Sequence, residues 1–460
     1  MQRERAADGG GAAAGVVERA VARARQAGAA AADAVLVESD GLEARVRDRE
    51  IDFVTQARER TLGIRAFVAG PQGLSTALTS TSDLAPGAVD AMAADAVALA
   101  RATAADPAAG LPEGGFATHL PDLALFDPAD RGVAVETRID AARRAEAAAR
   151  AADPRIANSE GSSVSSGFRR VAYANSAGFA GGYESASHSL FCEPIARENG
   201  HMQRDYWMTV HRRLGGLEDP EAVGRRAAER AARRLGARRV PTCEAPVLFD
   251  ALTARSLLSH LFGCVSGYSV YRQTSFLAAR MGETIASDAV TVIDDGRLKE
   301  GLGSRPFDGE GQPTRRNVVV ERGRLSSWLL DSYSARKLGL ASTGNASRGA
   351  ASAPGVGPTN LWLEPGRGTL DELVADTQRG LLVTELIGQG FNPVTGDYSR
   401  GASGFWIEGG ELAYPVEEIT IAGNLGAMLA GIDRVGSELL WLGSMASPPV
   451  RIARMTVAGE

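Results

Sequence analysis

From about Ala12 to Gln26 the apolar residues recur at helical spacing, and Gly28 closes the run. Alternating runs follow at Leu42 to Val46 and Leu62 to Val68, and these predict short strands with one buried face. Ser82 or Asp83 can cap a second helix over about Pro86 to Thr103, and the Pro- and Gly-rich stretch Asp106 to Pro121 predicts a linker. The same order then repeats. A helix over Val135 to Ala152 is stopped by Pro154, strands occupy Arg170 to Arg213, and a helix over Pro220 to Leu235 has Asp219 before it and Gly236 after it. Asn199-Gly200 is the dipeptide of a two-residue type I′ hairpin, whose register sets Glu198 opposite His201 and His188 opposite His211. Beyond about Pro241 the chain is rich in Gly and short strands, punctuated by Asp295-Gly296, Glu310-Gly311 and Pro354-Gly355. The expected fold is α+β. Two similar α-β-α units (12–105 and 122–236) precede a mainly antiparallel β domain with a few helices (241–460).

The length of 460 residues is enough for two or three domains with sizeable cores. With 50 basic and 56 acidic residues the net charge is -6, which disfavours nucleic acid or anionic membrane as a partner. Lysine occurs only at Lys299 and Lys337, so the Arg doublets at 143–144, 225–226 and 233–234 reflect an Arg-rich composition and read as solvated helix faces. The three cysteines, Cys192, Cys243 and Cys264, are odd in number and form no CxxC. That argues against a disulfide framework or zinc ribbon and for a reducing compartment. No apolar run reaches about 18 residues and the first residues lack an apolar signal core, so a cytoplasmic location is expected.

Three clusters invite a chemical reading. His188 and His211, opposed across strands, would have Cβ atoms about 5 Å apart, but no third ligand accompanies them. Cys192 lies four residues along the strand from His188, about 13 Å away. The pair therefore reads as polar residues on a half-exposed sheet. Asp294, Asp295, Asp308 and Glu310 lack EF-hand spacing and read as turn residues. The Ser-rich runs Ser159 to Ser166 and Ser342 to Ser347 come with no G-x-S-x-G elbow, which argues against a serine hydrolase.

Leu302 to Gly311 (LGSRPFDGEG), Leu330 to Ala346 (LDSYSARKLGLASTGNA) and Asn392 to Asn424 (NPVTGDYSRGASGFWIEGGELAYPVEEITIAGN) resemble the TldD/PmbA family. The likeness extends through Gly63 to Asp83 and Pro449 to Gly459. The resemblance implies a cytoplasmic two-subunit zinc peptidase, in which the TldD-like subunit carries an HExxxH helix. Its two His residues and a late Cys bind zinc, and its Glu acts on the attacking water. Two residues five apart lie about 140° apart on an ideal helix, so that site requires a local distortion such as a π-bulge.

In this chain the corresponding helix is expected over Leu252 to Phe262, and the motif falls on His260-Leu261-Phe262-Gly263-Cys264-Val265. Leu261 stands at the general-base position and Val265 at the second ligand position, and neither can take a proton or hold zinc. Cys264, four residues from His260, offers a thiol but brings no base and no third ligand; no Cys occurs in Val435 to Val450. The resemblance therefore implies the TldE/PmbA-like subunit, without metal or cofactor of its own. Its partner would be a TldD-like subunit bearing HExxxH and holding the zinc, and its substrates unfolded or modified peptides. Asp397, Ser399, Gly401 and Ser403 are the candidate peptide-groove or interface segment. The alternatives are a regulatory protein of the gyrase-modulator type acting without a peptidase, and a homodimer with an unrecognised activity.

Overall fold

The computed structural model describes the backbone of residues 4–459 and the side chains of residues 11–459. The first helix, α1 (Glu4–Gln26), begins earlier than its apolar periodicity and buries Ala13, Val17, Ala20, Val21 and Ala24 along one stripe. Three strands follow: β1 (Ala31–Arg47), β2 (Glu50–Gly70) and β3 (Gly73–Thr81). The helices α2 (Pro86–Arg101), α3 (Pro128–Arg131) and α4 (Val135–Ala152) come next. They lead into β4 (Ile156–Asn175), β5 (Ala180–Glu198), β6 (His201–Arg204) and β7 (Trp207–His211), and α5 (Pro220–Ala232) completes the second unit.

The two α-β-α units merge into one antiparallel sheet of order β3-β2-β1-β4-β5-β6, with β7 also on β5. Its central strands are far longer than the alternating runs suggested, because β1 pairs with β4 continuously from Asp33–Asn175 to Val46–Ser162. On β1 the even positions Ala32, Ala34 and Leu36 pack under α1 and α2, and Ala44 and Val46 pack under α4 and α5. The helices can lie close because they are rich in small residues. A Cβ on Gly224 of α5 would sit 2.0 Å from the Ala145 carbonyl of α4. Asn199 (φ 50) and Gly200 (φ 85) make the expected left-handed turn, and the register sets Glu198 opposite His201 and His188 opposite His211.

The remainder begins with β8 (Cys243–Phe249), α6 (Ala251–Val265), α7 (Gly267–Tyr271), β9 (Val292–Asp295), β10 (Arg316–Glu321), β11 (Arg324–Leu325) and α8 (Ser332–Leu338). It continues through β12 (Ala346–Ser347), β13 (Gly355–Val356), β14 (Leu361–Leu363) and α9 (Leu370–Ala375). The last elements are β15 (Arg379–Ile387), β16 (Asp397–Glu408), β17 (Glu411–Asn424), α10 (Leu425–Ala430), β18 (Ile432–Val435), β19 (Met445–Ala446) and β20 (Val450–Ala458).

One sheet has the order β17-β16-β15-β8-β20-β18, and β17 pairs with β20 as well, so five strands close into a ring. Only β8 and β15 run parallel within it. A second sheet has the order β11-β10-β9-β14-β19. The core of this half gathers Val247, Phe249, Leu381, Val383, Trp406 and Ile421 from the ring around Leu257, Leu258 and Leu261 of α6.

The odd-numbered face of β1 meets the C-terminal half through Val35, Tyr173, Phe179, Phe307 and Ala350. Contact there is tight enough that a Cβ on Gly63 would lie 1.7 Å from the Ala350 carbonyl. The predicted linker is also docked: Arg336 of α8 donates to the carbonyls of Ala108, Leu111 and Gly110, and Asp106 accepts from Tyr333 and Lys337. Among the described residues no helix is long and apolar enough to cross a membrane.

Candidate functional site

Helix α6 starts at Asp250, whose carboxylate accepts from the Thr253 backbone N–H at 2.8 Å, and runs as regular α-helix to Val265. Because no π-bulge interrupts it, His260 and Val265 diverge. Leu261 (1% exposed), Cys264 and Val265 (both 0%) enter the core of the C-terminal half. His260 turns instead toward β16, with its ring 4.5 Å from that of Phe391 and 5.8 Å from that of Tyr398. Burial, and secondarily the cationic Arg400, depress its pKa to about 4, so the ring is neutral at ordinary pH. His260 Nε2, Tyr398 Oη and Arg400 Nε are all buried with no hydrogen-bond partner among the described residues.

The donor set does not fit a catalytic zinc ion. A tetrahedral site needs at least three N, O or S ligands from the protein, and the groups around His260 are two aromatic rings and a guanidinium that repels a cation. Among the described residues no group of three or more His, Cys, Asp or Glu stands close enough to share a metal. Cys264 is on the core side of α6, and burial pushes its thiol up to about 11. It behaves as a small apolar residue.

On β16 the side chains of Asp397 and Ser399 are exposed and Gly401 is partly so, on the strand face opposite Tyr398 and Ala402; Ser403, at a bulge, is buried. Both edges of this segment are already paired within the chain. One side meets β17 from Asp397–Asn424 onward, and on the other Ser399 N–H donates to Gly390 and Asn392 N–H to the Asp397 carbonyl. An added peptide strand has no free backbone edge here, although the side chains of Asp397 and Ser399 remain at the surface.

His188 and His211 face each other, but the sheet is not half-exposed at His188, which is fully buried. Its Nδ1 lies 2.8 Å from Ser166 Oγ and its Nε2 3.3 Å from Asp130 Oδ2. The Nδ1 of His211 accepts from Arg213 N–H at 3.0 Å. Cys192 is opposite Trp207 rather than either histidine. Of the acidic cluster, Asp295 and Asp308 do cap turns, accepting from the N–H groups of Arg297 and of Glu310 and Gln312. Asp294 instead accepts from Asn345 and Thr359 in the core, and Glu310 from Ser332 N–H at 2.9 Å.

Glu310 belongs to a charge network between the two halves that the linear sequence gave no sign of. Asp33 of β1 accepts from Arg65 of β2 at 3.1 Å and from Arg348 at 2.9 Å, and Arg65 also stands 3.8 Å from Glu310. Burial acts to raise the pKa of Asp33, but Arg348 and Arg65 outweigh it and hold the carboxyl below its ordinary value. Beside the network a cleft of about 410 Å³ is lined by Tyr268, Tyr271, Arg272, Glu310, Asp331 and Tyr333. Three of the chain's eight tyrosines converge there, their ring centroids 5.5 to 6.0 Å apart. Tyr268 and Tyr271, three apart on α7, were the one readable trace of this cleft.

Similarity to known proteins extends over 97% of the chain. Sequence profiles for PmbA/TldA metallopeptidase domain 1, central domain and C-terminal domain match residues 32–100, 128–235 and 242–459. Metalloprotease PmbA of Escherichia coli O157:H7 is 40% identical over 97% of this chain and 96% of its own length. A crystal structure from Bacteroides thetaiotaomicron, described as a modulator of DNA gyrase, superposes with a TM-score of 0.88 at 28% identity, covering 97% of this chain and 98% of that one. TldE from Thermococcus kodakarensis shares the fold, with a TM-score of 0.86 at 24% identity over 96% of this chain and 99% of that one. With all three domains matched in order and a relative at this identity along almost its full length, the chain belongs to the PmbA/TldD metallopeptidase family.

Proposed function

We propose that this chain is the non-catalytic, TldE/PmbA-like subunit of a two-subunit zinc metallopeptidase acting on unfolded or modified peptides. The observation that carries the reading is the direction of α6: the positions of the family's general base and second ligand are Leu261 and Val265, both inside the core. Relatives named as metalloproteases support a role in proteolysis. In this reading the zinc belongs to a TldD-like partner bearing HExxxH, and this chain contributes a wall of the protease chamber. The exposed side chains of Asp397 and Ser399, on the strand that also carries Tyr398 and Arg400 beside His260, are the surface to examine for peptide contact.

The test is to purify the chain alone and with such a partner, and to measure zinc content and cleavage of an unfolded peptide. The expected result is no stoichiometric zinc and no cleavage alone, with both appearing in the pair. Tight zinc in the isolated chain that disappears in His260→Ala would overturn the proposal. The relatives described as gyrase modulators motivate a second reading, which requires that the isolated chain bind gyrase with no peptidase partner present.

A further inference from the structure

Separate from the tyrosine cleft, a small cavity of about 70 Å³ lies where the odd-numbered face of the N-terminal sheet meets the C-terminal half. A single water needs only about 10–15 Å³ on this scale, so the space holds roughly five atoms of water size. Its polar lining includes Arg169, Arg305, Arg348, Asp308 and Ser347, with Tyr173 and Tyr183 beside them. The side chain of Arg348 is 2% exposed. One of its nitrogens, Nη1, bonds Asp33 at 2.9 Å, but Nε and Nη2 are buried with no partner among the described residues. The same holds for Nε and Nη2 of Arg305.

Two arginines of the lining thus carry four buried nitrogens without a hydrogen-bond partner among the described residues. A buried charged donor left without an acceptor is strongly unfavourable, and Nε with Nη2 is the edge of arginine that matches two oxygens of one oxyanion. Asp308 is the one carboxylate in the lining, and it is already served by backbone N–H groups of Glu310, Gln312 and Ala346. Among the described residues it makes no ion pair within 4.0 Å of either arginine. Arg169 is exposed and adds a third positive charge to the lining.

We propose that this cavity binds a compact oxyanion of the carboxylate or phosphate class, gripped by Arg305 and Arg348 and attracted by Arg169. The oxyanion has two possible sources, a free inorganic anion or the terminal carboxylate of a peptide. Only the second rests on the peptidase reading, and the titration below uses this chain alone, so either idea can fail without the other.

Thermal unfolding and calorimetric titration of the full chain are carried out with phosphate, with acetate, and with a short peptide carrying a free or an amidated C-terminus, all at constant ionic strength. A saturable rise in Tm is expected. Phosphate acting without the peptide identifies a free anion, and the free peptide acting where its amide does not identifies a peptide terminus. Arg305→Met is expected to weaken binding by about tenfold or more, the effect of losing charge-assisted bonds. Its Tm without anion is measured beside the parent's, because Arg305 also acts electrostatically on the buried Asp294 and Asp308, and the anion-induced rise is read relative to that baseline. Arg169→Met, at an exposed position, should weaken binding severalfold and carries the test if the first variant fails to fold. The absence of any saturable shift, or equal shifts in parent and variants, would overturn the proposal.

Discussion

Helix α6 and the Asp33 network occupy comparable depths in the protein yet treat polarity in opposite ways. On α6, Leu261 and Val265 are apolar, and the surrounding core closes over them. At the junction of the two halves, Asp33, Arg65, Arg348 and Glu310 are buried, each within 4.0 Å of a group of the opposite type, and burial raises the pKa of Glu310. Apolar residues can fill a site that has lost its metal ligands, because packing needs only volume and shape. A buried ion network cannot lose one member without stranding the others. The first region is therefore apolar and filled by packing, and the second is a buried set of ion pairs between the two halves.

That contrast can be broken most directly at Asp33. Asp33→Ala leaves Arg65 and Arg348 without their shared acceptor and is expected to cost about 3–5 kcal/mol, read from the urea midpoint. A cost under about 1 kcal/mol would show that water reaches the network.

Next in size is Leu261→Glu, which places a carboxylate at the position that the proposed function aligns with the general base. Its neighbours on α6 face the apolar core, so the variant should lose about 3 kcal/mol or more while gaining neither zinc nor peptide cleavage. Recovered cleavage in the isolated chain would mean that the site is latent rather than filled.

The pH dependence of stability sharpens the α6 side. His260 has a folded pKa of about 4 against an ordinary 6.5. A depressed value means that its contribution is present above 6.5 and is lost as pH falls from 6.5 toward 4. After allowance for partial solvent contact the loss is about 2 kcal/mol. Chemical denaturation of the parent and His260→Phe at pH 7 and pH 4.5 should show a shallower fall in the variant. Smallest is Tyr333→Phe, which removes the 2.7 Å bond to Asp106 at a partly exposed position and should cost about 0.5–1 kcal/mol.

Local signals were legible where one element suffices to set a conformation. The Asn199-Gly200 turn and its register, the helix opened by Asp219-Pro220, and the helix over Leu252 to Phe262 all follow from neighbours in the chain. Strand length did not, because β1, β2, β4 and β5 extend through residues whose alternation is weak and are held by their partners rather than by propensity. The predicted linker is irregular backbone, as its Pro and Gly content suggests, but only Arg336 on a distant helix decides that this backbone is tied down. His188 looked half-exposed because one strand carries no record of what covers its face.

By itself the sequence determined the family and the α+β order of elements, since these are properties of residue type and spacing. Tertiary structure alone decided that α6 stays a regular helix, so that His260 faces the sheet while Leu261 and Val265 enter the core, and that Asp33, Arg65, Glu310 and Arg348 meet. Residues so far apart in the chain come together only when long-range packing supplies the free energy to desolvate and align them, and no local pattern encodes that sum.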